Sequence, residues 1–227
     1  MADNQPTIAA SDLFTLGGFF IPQNSTLTDE NSFAEMVKAN GDTEKFSSAF
    51  DDITTAVVEY RFNADTGLGA ALPNIGDLGN VYHITELVVE TSWENYPVIR
   101  ITGHNHDNNA HIDDRNEYAI PTEIASILTG AQGAYDFSGN AENTVSCIQS
   151  STFTLSADHV DANCNTGEHF VGQLIHARAE TVDNYVGISV SVAALSASWR
   201  IESFEQSDSN TEFDTSTFTQ FRGVSRE

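Results

Sequence analysis

Positive charge is the scarcest commodity in this chain of 227 residues: Lys and Arg together number 9 against 33 Asp and Glu, for a formal net charge of −24. The only lysines are Lys38 and Lys45, and the arginines are scattered singly with no basic run. Proteins bind a nucleic-acid backbone by neutralising its phosphates with Lys and Arg, so this composition excludes nucleic-acid binding as an expected role. No stretch approaches the eighteen or so consecutive apolar residues of a membrane-spanning helix, so no transmembrane segment is expected. The first residues, Met1 to Asn4, are polar and acidic, unlike the basic and then apolar start of a secretory signal. Phosphate-binding glycine loops, Gly-x-Ser-x-Gly elbows and cysteines with a catalytic flanking pattern are all missing, and with them any placed nucleophile. The expectation is a protein that is not an enzyme.

Cysteine is nearly absent too. Cys147 and Cys164 are the only two, seventeen positions apart. That spacing suits one disulfide across a hairpin, worth roughly 3 kcal/mol through loop closure, or equally two free thiols. Tryptophan is limited to Trp93 and Trp199, both on the apolar register of their segments, where packing is the expected role.

What the chain does have is enough apolar content, 40%, to close a core, and a change of texture along its length. An apolar arm comes first, comprising Leu13, Phe14, Leu16, Phe19, Phe20 and Ile21, broken by a glycine pair and stopped by Pro22. Phe33, Met36 and Val37, then Phe46, Ala49, Phe50 and Ile53, recur at helical spacing, with capping types ahead of each group. Residues 1–54 are therefore expected to form an N-terminal arm with two short helices.

From Thr55 onward alternation with period two takes over, bounded by Gly, Asn, Asp and Pro. Residues 81–93 and 98–102 flank a turn and read as a hairpin, and further strands are expected at 144–155, 170–179, 185–193 and 211–221. In a strand near 195–202, Leu195, Ala197, Trp199 and Ile201 are expected to face inward. One helix is expected at about 121–129, with Ile124, Ile127 and Leu128 inward. Strands that do not alternate regularly with helices argue for a mainly β fold. Residues 55–227 are expected to form one antiparallel β-sandwich or single jelly roll.

Three groups of residues are candidates for chemistry. In the run from Gly103 to Asp114, His104 and His106 would project from one face of a strand, with His111 or Asp113 as a third metal ligand. A cupin would need a glutamate shortly after the histidine pair, and a metallo-hydrolase of the His-x-His-x-Asp-His kind would need Asp and His where Asn108 and Asn109 stand. A polar hydrogen-bonded loop is the simpler reading. Oxygen-rich loops, among them 158–165, could hold a structural calcium ion or another cation. Asp161, Asn163 and Asn165 start like an EF-hand loop, but Thr166 occupies the glycine position. Finally, Trp93, Glu94, Asn95 and Tyr96 form the one local cluster of aromatic and amide groups that could serve a glycan.

The acidic surface, the apolar arm, the many strands rich in Ser, Thr and Asn and the lack of catalytic motifs together resemble a structural subunit of a virus particle. The texture is similar to that of the small jelly-roll major capsid proteins of tailless icosahedral viruses of halophilic archaea, from which the helical stretch at 32–53 departs. The resemblance implies a self-assembling, non-catalytic subunit located in a virion, with copies of itself and other virion proteins as partners. A tail-tube or other tail subunit is the alternative within that class. An extracellular β-sandwich binding glycans or calcium is the alternative outside it.

Overall fold

A computed structural model describes residues 13–14, 16, 20–32, 35–37, 43–46, 50–62, 72–79, 81–106, 117–128, 135–137, 146–163, 169–187, 193–208 and 213–226. The strands are β1 (Phe20–Ser32), β2 (Glu35–Val37), β3 (Thr43–Phe46), β4 (Phe50–Phe62), β5 (Leu78–Gly79), β6 (Tyr82–Ser92) and β7 (Asn95–His106). After the helix α1 (Thr122–Ile127) follow β8 (Ser146–Asn163), β9 (His169–Gly187), β10 (Arg200–Ser207) and β11 (Thr215–Gly223). Nine strands form one sheet in the order β1-β4-β7-β6-β8-β9-β11-β10, with β5 added beside β6, while β2 and β3 pair separately. Every pairing is antiparallel.

The mainly β, antiparallel expectation is met, and so is the hairpin of β6 and β7. The two helices expected within 32–53 do not form, because that stretch contributes β2, β3 and the start of β4. Pairing with β1 along the length of β4 overrides the local helical spacing. No boundary falls at residue 54 either, since β4 runs through it and β1 belongs to the main sheet. The segments expected at 170–179 and 185–193 are largely one long strand, β9. It bends where its register with β8 slips between Ser156 and Asp158. There His176 takes a positive φ of 53°, the left-handed backbone that a bulge can demand.

One face of the sheet is dry. Ala56, Val58 and Tyr60 on β4, Ile99 and Ile101 on β7, Phe153 and Leu155 on β8, and Phe218 on β11 are all buried. On β6 strict alternation would place Tyr82 and Ile84 opposite Leu87 and Val89. The register shift between Ile84 and Glu86 turns both sets to the same side.

With a single large sheet, the opposite layer comes from segments outside it. Leu13, Phe14, Ile75, Tyr118, Ile120, Ile124, Leu128, Tyr135, Phe137 and Trp199 join the sheet residues in one buried cluster. The helix does what its pattern predicted: Ile124 and Leu128 are fully buried and Ile127 packs partly against the core. The apolar arm could fold back onto its own core in a monomer or pack on a neighbour in an assembly. In the single chain Leu13, Phe14 and Phe20 lie in the core with Leu16 packed against it, Ile21 is exposed, and Phe19 lies outside the described residues. Phe14 fits because two glycines make room. A Cβ at Gly79 would stand 2.5 Å from its ring, and one at Gly103 would stand 2.7 Å away. At 195–202 Trp199 is buried and Leu195 packs partly against the core, while Ala197 and Ile201 are exposed. Residues 195–199 are turns ahead of β10 and do not alternate as a strand, and Ile201 lies on an edge strand with one neighbour among the described residues.

Polar side chains on the dry face hold the cover down. Thr91 and Ser151 share a hydrogen bond of 2.6 Å, and the Tyr135 N–H donates to Thr91 Oγ1. The Tyr185 hydroxyl donates to Asp136 at 2.7 Å, and Gln220 Nε2 donates to the carbonyl of Phe137. The helix is tied at Glu123, whose carboxylate accepts from Arg222 at 3.2 Å and from the Ser196 hydroxyl at 3.1 Å. Its own backbone N–H is the largest influence holding the Glu123 carboxyl below the usual carboxylate range, with Ser196, Arg222 and Thr122 acting the same way against the burial cost.

Two predictions follow from this packing. Gly103→Ala should drive Phe14 from its slot and cost about 1–3 kcal/mol, and Phe14→Ala about 3–5 kcal/mol. The double variant should lose less than the sum, as chemical denaturation of all four proteins would show. Glu123→Gln should cost about 1 kcal/mol at neutral pH. Because the folded-state pKa is depressed, that contribution is present above the ordinary glutamate range and lost as pH falls through the folded value. The gap between wild type and variant should therefore close in acid.

Candidate functional site

The structure gathers a different set of histidines from the one the sequence spacing suggested. His104 and His106 both lie on β7, but His111, Asp113 and the side chain of His106 fall outside the described residues. His104 stands opposite His83 in register, and its ring centroid is 5.4 Å from that of His159 on β8. Among the described residues no group of three His, Cys, Asp or Glu side chains is arranged to hold a metal ion.

Cys147 is a free, exposed thiol near the start of β8. Cys164 lies outside the described residues, but Asn163, its neighbour in the chain, ends the same strand. The disulfide that the spacing allowed therefore falls in part outside the described residues, and what the structure gives is Cys147 as a free thiol.

The face of the sheet away from the core is ordered by cross-strand rows. In one, register aligns Asn24, Glu59, Arg100, Val88, Thr154, Glu180 and Phe221. Charges here are compensated locally. Arg100 meets Glu90 at 3.3 Å, and Arg178 meets both Glu180 and Glu202 while stacking on the Phe221 ring. Toward the β6–β7 turn the chemistry changes, and register aligns Asn95, Ser92, Ser150, Asn184 and Thr217 across five strands. Neighbours in this row are hydrogen-bonded: Asn95 to Ser92 at 3.4 Å, Asn184 to Ser150 at 3.1 Å, and Thr217 to Asn184 at 2.9 Å. On a chain of net charge −24 this is a strip without a single charge.

A cleft of about 370 Å³ opens at the end of that strip, lined by Arg61, Glu90, Ser92, Asn95, Tyr96, Val98, Ser150 and Thr152 among others. Above the turn, Trp93 is 63% exposed, which overturns its expected place in the core, and Tyr96 is 45% exposed. Trp93 sits in the turn itself, past the last alternating residue of β6, so the strand register that would have buried it has ended. It is not loose, because its backbone N–H donates to the Gln149 carbonyl at 3.1 Å. Sequence reasoning found the Trp93–Tyr96 cluster but missed Arg61, Glu90, Ser150 and Thr152, which reach the cleft from β4, β6 and β8.

The sheet's outer edges are the second notable feature. Among the described residues β1 pairs only with β4, and β10 only with β11. Ile21 and Leu27 on β1, Ile201 on β10 and Phe213 just before β11 are large apolar side chains left exposed there. No protein-family model and no curated protein matches this sequence. No described helix is long and apolar enough to cross a membrane.

An exposed thiol on a strand should react while the fold is intact. Folded protein treated with a thiol-specific chromogenic reagent should label at Cys147 at once, and Cys147→Ser should remove that fast phase.

Proposed function

We propose that this chain is a self-assembling, non-catalytic structural subunit, of the kind that builds the shell of a virus particle. The observation that carries the reading is the pair of sheet edges, β1 and β10, that have one neighbour each among the described residues. A strand with one neighbour presents a row of N–H and C=O groups ready to pair with another copy, and soluble proteins usually protect such edges. Here each edge carries a bulge and acidic residues, such as Asp29 on β1 and Glu202 and Glu205 on β10, which hold copies apart at low salt. Exposed apolar side chains stand with them: Ile21 and Leu27 on one edge, Ile201 on the other. A subunit with two complementary edges can add copies at both, which is the geometry of a growing lattice. Of the arm, Leu13, Phe14 and Phe20 serve the chain's own core, and Ile21 at the start of β1 is the arm residue that this reading places in an edge contact.

Charge regulates the same step. With 33 acids against 9 bases, copies repel at low ionic strength, and cations that screen the carboxylates let edge contacts form. This reading also supports the resemblance to capsid subunits of saline habitats, with the virion as the place of action and other copies as the principal partners.

Light scattering across a salt series tests it. Monomers at low salt should give way to defined large species as salt rises. Leu27→Lys with Ile201→Lys should stay monomeric at every salt concentration while keeping the β spectrum of the wild type. A wild-type protein that remains monomeric up to saturating salt overturns the proposal.

A further inference from the structure

We infer that the cleft beside the β6–β7 turn is a binding site for a neutral saccharide, a site separate from the sheet edges and independent of the assembly reading. Sugars present two surfaces to a protein: apolar C–H faces, which stack on aromatic rings, and hydroxyls, which need a high density of donors and acceptors at fixed spacing. The structure supplies both around the β6–β7 turn: Tyr96 lines the cleft, and Trp93, three residues earlier in the chain, stands exposed in the turn.

The aromatic surface is Trp93 with Tyr96. The Trp93 ring stands in water on a backbone anchored to Gln149, so a large apolar face is open to a flat partner at a fixed point of the chain. The hydroxyl-matching surface is the cleft. Asn95, Ser150 and Thr152 offer amide and hydroxyl groups, and Arg61 and Glu90 add one strong donor set and one strong acceptor of opposite charge. Glu90 is itself paired with Arg100 at 3.3 Å, so its charge is compensated within the sheet while its oxygens remain acceptors.

The strip of Ser92, Asn95, Ser150, Asn184 and Thr217 extends the same chemistry away from the cleft. A linear oligosaccharide lying along it would find a hydroxyl or amide on each successive strand, at the roughly 4.8 Å spacing of a sheet. That is close to the length of a sugar unit, so the surface suits a chain of sugars better than a single one. Charge argues against the other ligand classes. Among the described lining residues a divalent metal would find one carboxylate, Glu90, already paired with Arg100, and an anion would meet one cation, Arg61, on a chain of net charge −24.

Trp93 is its own reporter, because Trp199 is buried and shielded from ligand. The wild-type protein is titrated with cellotetraose, mannotetraose, chitotetraose and N-acetyllactosamine, following tryptophan fluorescence. At least one should give a saturable shift, with a Kd on the order of 0.1–1 mM, the range of a shallow, solvent-rich site. Calorimetry with that sugar should show at least a tenfold loss for Trp93→Ala. A second variant, Asn95→Ala with Ser150→Ala, leaves the ring in place and should weaken binding at least as much, with melting temperatures confirming that each variant folds. If none of the four sugars gives a saturable change up to about 10 mM, weaker than any specific contact of this size, the inference is overturned. Binding that survives both sets of substitutions unchanged overturns it as well.

Discussion

A large sheet whose dry face is covered, among the described residues, mainly by segments outside its strands is the constraint on which the rest of this molecule depends. In a two-sheet sandwich each inner face buries the other, and loops are free to vary. Here the apolar residues of β4, β6, β7, β8, β9 and β11 must be covered by the arm, by 72–79, by 117–128, by 135–137 and by the approach to β10. Segments of irregular backbone cannot satisfy their own hydrogen bonds as strands do, so the sheet has to supply partners on its buried side. That explains the roles of Thr91, Ser151, Tyr185 and Gln220 on a face that is otherwise mostly apolar. These polar groups dock the cover.

The same constraint accounts for what could and could not be read in advance. Alternation showed the strands because a half-buried strand has to alternate. The β6–β7 hairpin and the helix at 122–127 were legible for that reason. The reading failed wherever a partner distant in sequence decided the outcome. Residues 32–53 carry helical spacing, yet pairing with β1 makes β4 a strand. The bulge at Ile84 and Glu86 is invisible to a strict period of two, and so is the bend at His176. The candidate site was half legible. Trp93, Asn95 and Tyr96 are neighbours in the chain and stood out together. Arg61 arrives from β4 and Ser150 from β8, and only the strand order brings them to the same cleft.

Scarce positive charge is placed with economy. Arg100 and Arg178 lie on the open face of the sheet beside glutamates, and Arg222 binds the helix through Glu123. Exposed pairs of this kind add little stability one by one. Their joint effect is to keep the open face from becoming a continuous sheet of negative charge, which leaves the uncharged strip near the β6–β7 turn flanked by compensated rows.

The connectivity of the central strands has a kinetic consequence. The hairpins β6–β7, β8–β9 and β10–β11 each pair strands that follow one another in the chain, so they close short loops and form early. Joining the first of them to the second requires β6 to find β8 across the whole segment between His106 and Ser146, which includes much of the cover layer. Non-local closure of that kind is slow. Until it happens, each hairpin has an apolar face with nothing upon it, and the nascent chain is sticky before it is whole. A strongly acidic composition is well suited to that interval, since mutual repulsion keeps half-built copies apart while each one finds its own β6–β8 pairing.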